Sequence, residues 1–151
     1  MGGNLLLDVG PKSDGSLQSE QVTVLKGLGR WTRKHAEALQ GTVAGLPPGH
    51  FYGASTMSKG KDVLYLICFD RPIDQVAVKG ILNEVRRVSV VGGGELAQRK
   101  IGGAPWAKLP GVLWIDVPES ALDADATVLK VELNGPLNLY TGHGEAVTLN
   151  A

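Results

Sequence analysis

Three consecutive leucines, Leu5-Leu6-Leu7, run through Asp8-Val9 and stop at Gly10-Pro11. An apolar run without alternation suits a strand buried on both faces, the kind found in a parallel sheet covered by helices. Such a strand needs hydrogen-bonding neighbours on both sides. Here it opens the chain, so partner strands do not precede it in this sequence. The expectation is therefore the tail end of a larger protein, with the parent's N-terminus missing.

Ser13-Asp14-Gly15-Ser16 reads as a turn. A helix is expected from about Gln18 to Ala38, with Val24, Leu25, Leu28, Trp31 and His35 on one face. Ser16 or Ser19 is the expected cap, and Glu20 suits the positive end of the helix dipole. Arg30, Arg33 and Lys34 fall in the later turns, where cations are favoured. Gly27 and Gly29 weaken a helix by about 1 kcal/mol each relative to Ala. Close packing against a sheet is the expected reason for them. Residues 1–44 thus read as one strand–helix unit, the repeating piece of a β/α barrel or of a doubly wound sheet.

Gly45-Leu46-Pro47-Pro48-Gly49 is a cluster of helix and strand breakers and marks the expected domain boundary. Beyond it the apolar period drops to two. Strands are predicted at Val63–Phe69, Val76–Ile81, Val85–Val91, Val112–Val117, Thr127–Leu133 and Leu137–Tyr140. Leu113, Ile115 and Val117 share one face, as do Leu129, Val131 and Leu133, with Lys130 and Glu132 outward. Short strands broken by Gly, Pro, Asn and Asp turns predict an antiparallel sandwich over 45–142. Residues 143–151 read as a loose tail. The fold class expected is mainly β: an antiparallel β-sandwich preceded by one strand–helix unit from a β/α barrel.

Charge excludes some partners. Lys+Arg and Asp+Glu both count 15, so the net charge is zero, which argues against nucleic acid or an anionic membrane. No apolar run approaches the roughly 20 residues of a membrane span. Met1-Gly2-Gly3-Asn4 lacks the basic region and apolar core of a signal peptide, which leaves the parent's compartment open. Cys68, the single cysteine, lies in an apolar run and is expected to be buried and unreactive.

Gly3-Asn4-Leu5-Leu6-Leu7-Asp8-Val9-Gly10-Pro11 with Asp14-Gly15 resembles a late barrel segment of the α-L-fucosidases of glycoside hydrolase family 29. Gly29-Arg30-Trp31, and Glu37-Ala38 with Gly41-Thr42, are similar to the helix that follows it in that family. Gly49-His50-Phe51-Tyr52-Gly53, Leu64-Tyr65-Leu66, Lys79-Gly80, Val90-Val91-Gly92, and Pro110-Gly111-Val112-Leu113 with Asp116-Val117-Pro118 look like the β-domain beyond. Asp8 stands where the family pattern has Asn, His35-Ala36 where it has Asn-Gly, and Gln40 where it has Tyr. The resemblance implies a C-terminal segment of an enzyme that removes terminal fucose with retention. A barrel takes roughly 200 residues or more, so only its last unit fits here. The family's nucleophile and acid/base come from earlier strands, and no catalytic residue carries over. The segment is expected to be inactive alone. It is expected to brace a catalytic barrel, to meet fucosylated glycans only indirectly and to self-associate through residues 1–38.

The residues themselves support the same expectation. Retaining glycoside hydrolysis needs two carboxyl groups roughly 5 Å apart. Asp14 reads as a turn residue and Asp8 as a polar strand end. Gly92-Gly93-Gly94-Glu95-Leu96-Ala97 fits a dinucleotide-loop spacing, but Gly102-Gly103 leaves no room for the helix such a loop requires, so a hairpin turn is expected. His35, His50 and His143 are too widely spaced for a metal site. His35 reads as a packing residue and His50 as an interdomain contact. No cofactor is expected. Trp106, in a Gly/Pro loop, is the one candidate sugar contact, with packing against the sandwich end as the competing reading. That loop keeps open an alternative function, a freestanding carbohydrate-binding module.

Overall fold

The computed structural model describes residues 5–107 and 109–140. Its centre is the pairing of β3 (Val63–Cys68) with β8 (Thr127–Leu133), antiparallel with Leu64 opposite Val131 and Leu66 opposite Leu129. Flanking them are β2 (Ala54–Met57), with β1 (Val43–Ala44) at the edge beyond it, and β5 (Val85–Val90) on the other side. A second sheet of three strands runs β4 (Gln75–Val78), β7 (Val112–Asp116), β6 (Gln98–Ile101). Every pairing is antiparallel.

The two sheets share one core. Leu64, Leu66, Leu129 and Val131 from the larger sheet cluster with Val76, Val78, Leu113 and Ile115 from the smaller. All eight side chains are essentially inaccessible to solvent. Burial of each such aliphatic group contributes about 1.5–3 kcal/mol relative to exposure. The alternation in β7 and the inward set of β8 fall where the sequence period puts them.

The larger sheet is also covered on its other face. Tyr65, Ile67 and Val128 pack there with Ala38 and Trp31. Ala38 belongs to α2 (Ala36–Leu39), and Trp31 to α1 (Ser19–Lys34). The layers are therefore helix, five-stranded sheet, three-stranded sheet. No described helix is long and apolar enough to cross a membrane.

The structure differs from several sequence-based expectations. Leu5–Leu7 form no strand and are exposed, Leu6 to 86%. The nearest bridge downstream in the chain is Pro11–Leu17, which does not involve them. A leucine run supplies side chains for a buried strand but not the neighbouring backbones that make it one. The expected single helix breaks at His35 into α1 and α2. Its N-cap is Gln18, with no side-chain cap hydrogen bond, and Ser19, the first helical residue, donates its Oγ–H to the Glu20 carboxylate. Gly27 and Gly29 do not make room for a sheet. A Cβ at either would meet only an arginine side chain.

Three strands were not anticipated. Ala54–Met57 and Gln98–Ile101 lack the apolar alternation that marks a half-buried strand, and Val43–Ala44 is too short to show a period. Because Val43–Ala44 pairs with β2, the sheet reaches two residues into the segment assigned to the strand–helix unit. Leu137–Tyr140 is not a strand. It is tied down by Leu137 N to Lys61 O, by Tyr140 N to Gly80 O and by a bridge from Leu139 to Ile81. Gly92–Gly94 is the expected turn, closed by Val90 N to Gly94 O, and strand β6 rather than a helix follows. His143 and the tail 143–151 lie outside the described residues.

Ala in place of Gly27 should stabilise the isolated chain by about 1 kcal/mol, through helix propensity alone. Chemical denaturation would measure it. A loss of stability would show that Gly27 is needed for a close contact.

Candidate functional surface

Trp31 ties α1 to the sandwich. Its indole Nε1 donates to the Ala126 carbonyl at 2.8 Å, just ahead of β8. One turn later His35 is fully buried, with its ring 4.6 Å from that of Trp31. His35 Nδ1–H donates to Trp31 O at 2.9 Å, and Nε2 lies 3.9 Å from Asp123 Oδ2. His35 is thus the packing residue expected, although Nε2 has no hydrogen-bond partner among the described residues.

Two carboxylates complete the attachment. Asp123 accepts from Lys34 Nζ at 2.5 Å and from the Asp125 amide at 2.9 Å. Burial raises the Asp123 carboxyl pKa, but these donors outweigh it and leave it below the ordinary value. Glu37 Oε2 accepts from Lys130 Nζ at 2.7 Å and Tyr65 OH at 3.1 Å. The Lys130 hydrogen bond, against the opposing effect of burial, holds Glu37 below its ordinary value as well. Burial, then the Glu37 carboxylate, push the Tyr65 hydroxyl up to about 12. Tyr65 and Lys130 are cross-strand partners on β3 and β8. The outward face of the central strand pair therefore reads the helix through one carboxylate. Sequence reasoning missed both pairs, since their members lie 89 and 93 residues apart and no local pattern links them.

Upstream of Trp31 the helix is only partly covered. No residue of α1 is buried. Val24 is 67% and Leu28 42% exposed, although both lie on the apolar face. Beside them Phe69, just past β3, is 66% exposed. Val24, Leu28, Trp31, Phe69 and Ala126 line an open groove of about 570 Å³. Phe69 was read from sequence only as the end of a strand.

Trp106 stands elsewhere, at the β6–β7 connection. Ala104 and Leu109 exchange backbone hydrogen bonds at 3.0 and 3.1 Å across a short 3₁₀ turn, Pro105–Ala107. At the base of this loop Gly103, with φ of +93°, approaches Gly111 so closely that a Cβ would lie 2.7 Å from its amide nitrogen. The loop holds the Trp106 side chain 88% exposed, so it does not pack on the sandwich end. Trp31 and Trp114 are half-buried.

The remaining candidates are dispersed. Asp8 is exposed, and Asp14 accepts from the Ser16 amide and hydroxyl in an exposed turn. Those two hydrogen bonds, the hydroxyl's first, lower the Asp14 carboxyl pKa. His50 Nδ1–H donates to Lys79 O at 2.9 Å, within the β-domain. Cys68 is buried in β3, and burial pushes its thiol pKa up. Among the described residues no group of three His, Cys, Asp or Glu is placed to hold a metal.

Residues 1–37 match the family model described as alpha-L-fucosidase. No curated protein matches the chain. Among solved structures, α-L-fucosidase isoenzyme 1 from Paenibacillus thiaminolyticus superimposes with a TM-score of 0.70 at 26% identity, over 87% of this chain and 31% of that one. The α-L-fucosidase from Vibrio sp. strain EJY3 gives 0.72 at 18% identity, over 88% and 23%. A family 29 α-L-fucosidase from Bacteroides thetaiotaomicron, a trapped covalent intermediate, gives 0.65 at 17%, over 85% and 28%. The fold is that of one portion of a glycoside hydrolase. By the match over residues 1–37 and the shared fold, the chain is similar to a segment of the α-L-fucosidases, one consistent with their C-terminal part. It spans 23–31% of the length of the solved structures it matches.

The helix attachment should be acid-labile. A carboxyl whose pKa is lower folded than unfolded stabilises the fold above its unfolded value, near 4, and loses that contribution as pH falls through the folded value. Asp123 and Glu37 are both of this kind. The Trp31 indole N–H resonance should therefore shift or broaden as pH drops below about 4. Asp123→Asn with Glu37→Gln should abolish that response. An indole signal indifferent to pH would contradict the role of the two carboxylates.

Proposed function

We propose that this chain is a non-catalytic bracing segment of an α-L-fucosidase, its helix and sandwich supporting a catalytic portion supplied by the rest of the enzyme. In the complete protein the activity would be retaining hydrolysis of terminal α-L-fucose. One observation carries the reading: the helix inside the family-matched segment 1–37 has no buried residue, yet displays an apolar face. An amphipathic helix of a soluble protein buries its apolar stripe against a partner. The sandwich covers only the end of that stripe, around Trp31 and His35. Leu5–Leu7 are exposed in the same family-matched segment. In this division of labour residues 1–44 would carry the face toward the catalytic portion, with Val43–Ala44 joining the edge of the sheet, and 45–142 would be the sandwich domain. Fucosylated glycans would meet the catalytic portion, not this chain.

The 151-residue chain alone should show no hydrolysis of an aryl α-L-fucoside above the buffer rate. Turnover by the purified chain, lost on Asp8→Asn, would overturn the reading.

A second reading has one observation in its favour. The exposed indole of Trp106, on a braced loop, could stack on a sugar ring, which would make the chain a freestanding carbohydrate-binding module. Titration with L-fucose and a fucosylated oligosaccharide tests this. On the bracing reading no saturable binding is expected. Saturable binding lost on Trp106→Ala would favour the module instead.

A further inference from the structure

We propose that the groove between α1 and the adjoining ends of β3 and β8 is the seat of an apolar ridge from the part of an α-L-fucosidase polypeptide that this chain does not cover. This rests on the bracing reading and gives it a surface.

The groove has the marks of a preformed seat. One wall is helix, at Val24 and Leu28, and the other is formed by the connections that leave β3 at Phe69 and enter β8 at Ala126. The Trp31 Nε1–Ala126 O hydrogen bond spans the two walls at 2.8 Å, so the gap between them is fixed rather than collapsible. Its lining is mostly apolar and its volume, about 570 Å³, is that of several side chains rather than one. Gly27 lies in the lining, where an absent side chain lets a partner approach the helix backbone.

The occupant is argued from three observations. Val24, Gly27 and Leu28 fall within the 37 residues that match the fucosidase family model, while Phe69 and Ala126 come from the sandwich. A segment bearing the enzyme's own sequence pattern leaves these apolar side chains open, and 69–77% of each solved relative's length lies outside the match. Arg30 and Asp125 also line the groove, and neither has a salt-bridge partner among the described residues. The ridge should therefore carry an acidic group opposite Arg30 and a basic group opposite Asp125. A second copy of this chain is the rival occupant.

The test is co-expression of the full, affinity-tagged chain with the P. thiaminolyticus isoenzyme 1 polypeptide from which the matched region has been deleted. The wild-type chain should co-purify that polypeptide in soluble form. Leu28→Lys and Phe69→Lys should each lower the recovered partner roughly tenfold or more, as a charge placed in a packed contact does, with the chain's circular dichroism unchanged. Lys59→Glu, in the turn at the far end of β3, should recover as much as wild type. Capture by wild type and both groove variants alike would overturn the seat while leaving the bracing reading intact. No capture by wild type would overturn both. A stable dimer of the chain alone that dissociates on Leu28→Lys, with no fucosidase polypeptide captured, would assign the groove to a second copy and overturn the proposal.

Discussion

The pairing of β3 with β8 is the constraint on which everything else rests. Both strands are buried on two faces: Leu64, Leu66, Leu129 and Val131 toward the smaller sheet, Tyr65, Ile67 and Val128 toward the helices. The face toward the smaller sheet is wholly apolar, so neither strand can slip by one residue without exposing that set, whereas on the helix side β8 is mixed, with Lys130 and Glu132 beside Val128. The three-stranded sheet satisfies the first face. The helices satisfy the second, but only over a limited area around Trp31, His35 and Ala38.

That limited contact explains why polar groups carry so much of the helix attachment. Lys34–Asp123, Glu37 with Tyr65 and Lys130, and the Trp31 indole each join the helix to a strand or to the loop ahead of β8. Thr56 Oγ1 donates to Ala38 O and adds a fourth tie, from β2. Such directional contacts fix the angle and position of a helix more sharply than apolar area does. Exposed ion pairs contribute little to stability by themselves. The half-buried Asp123, within reach of Lys34 and His35, is the better anchored of the two carboxylates. The result is a helix held by its C-terminal end, with the rest of its apolar face projecting past the sheet.

The sequence made some of this readable and concealed the rest for physical reasons. β7 and β8 were legible because a sandwich strand with one face in the core must alternate, and Leu113, Ile115, Leu129 and Val131 do. The continuous apolar β3 was legible as a strand, but nothing in it revealed that its second face met a helix. β6 was hidden because an edge strand may be polar on both sides, as Gln98-Arg99-Lys100 is, and β2 because Ala54-Ser55-Thr56-Met57 shows no apolar alternation. Leu5–Leu7 show the opposite failure: strong strand residues adopt no strand where no neighbouring backbone pairs with them. The Asp123 and Glu37 clamps were invisible because contacts across some ninety residues leave no periodic trace. Trp106 lies in the loop that its Gly/Pro surroundings indicate, whereas its exposure is visible only in the structure.

The central claim is that this polypeptide contains a firm sandwich carrying a helix attached at one end only. Amide hydrogen exchange on the isolated chain tests it most directly, because protection reports local opening along each element. Slow exchange is expected in β3 and β8, intermediate exchange from Trp31 to Ala38, and fast exchange from Ser19 to Leu28 and at Leu5–Leu7. Uniform slow exchange along the whole of α1 in a monomer would contradict it, since the helix would then need no further partner.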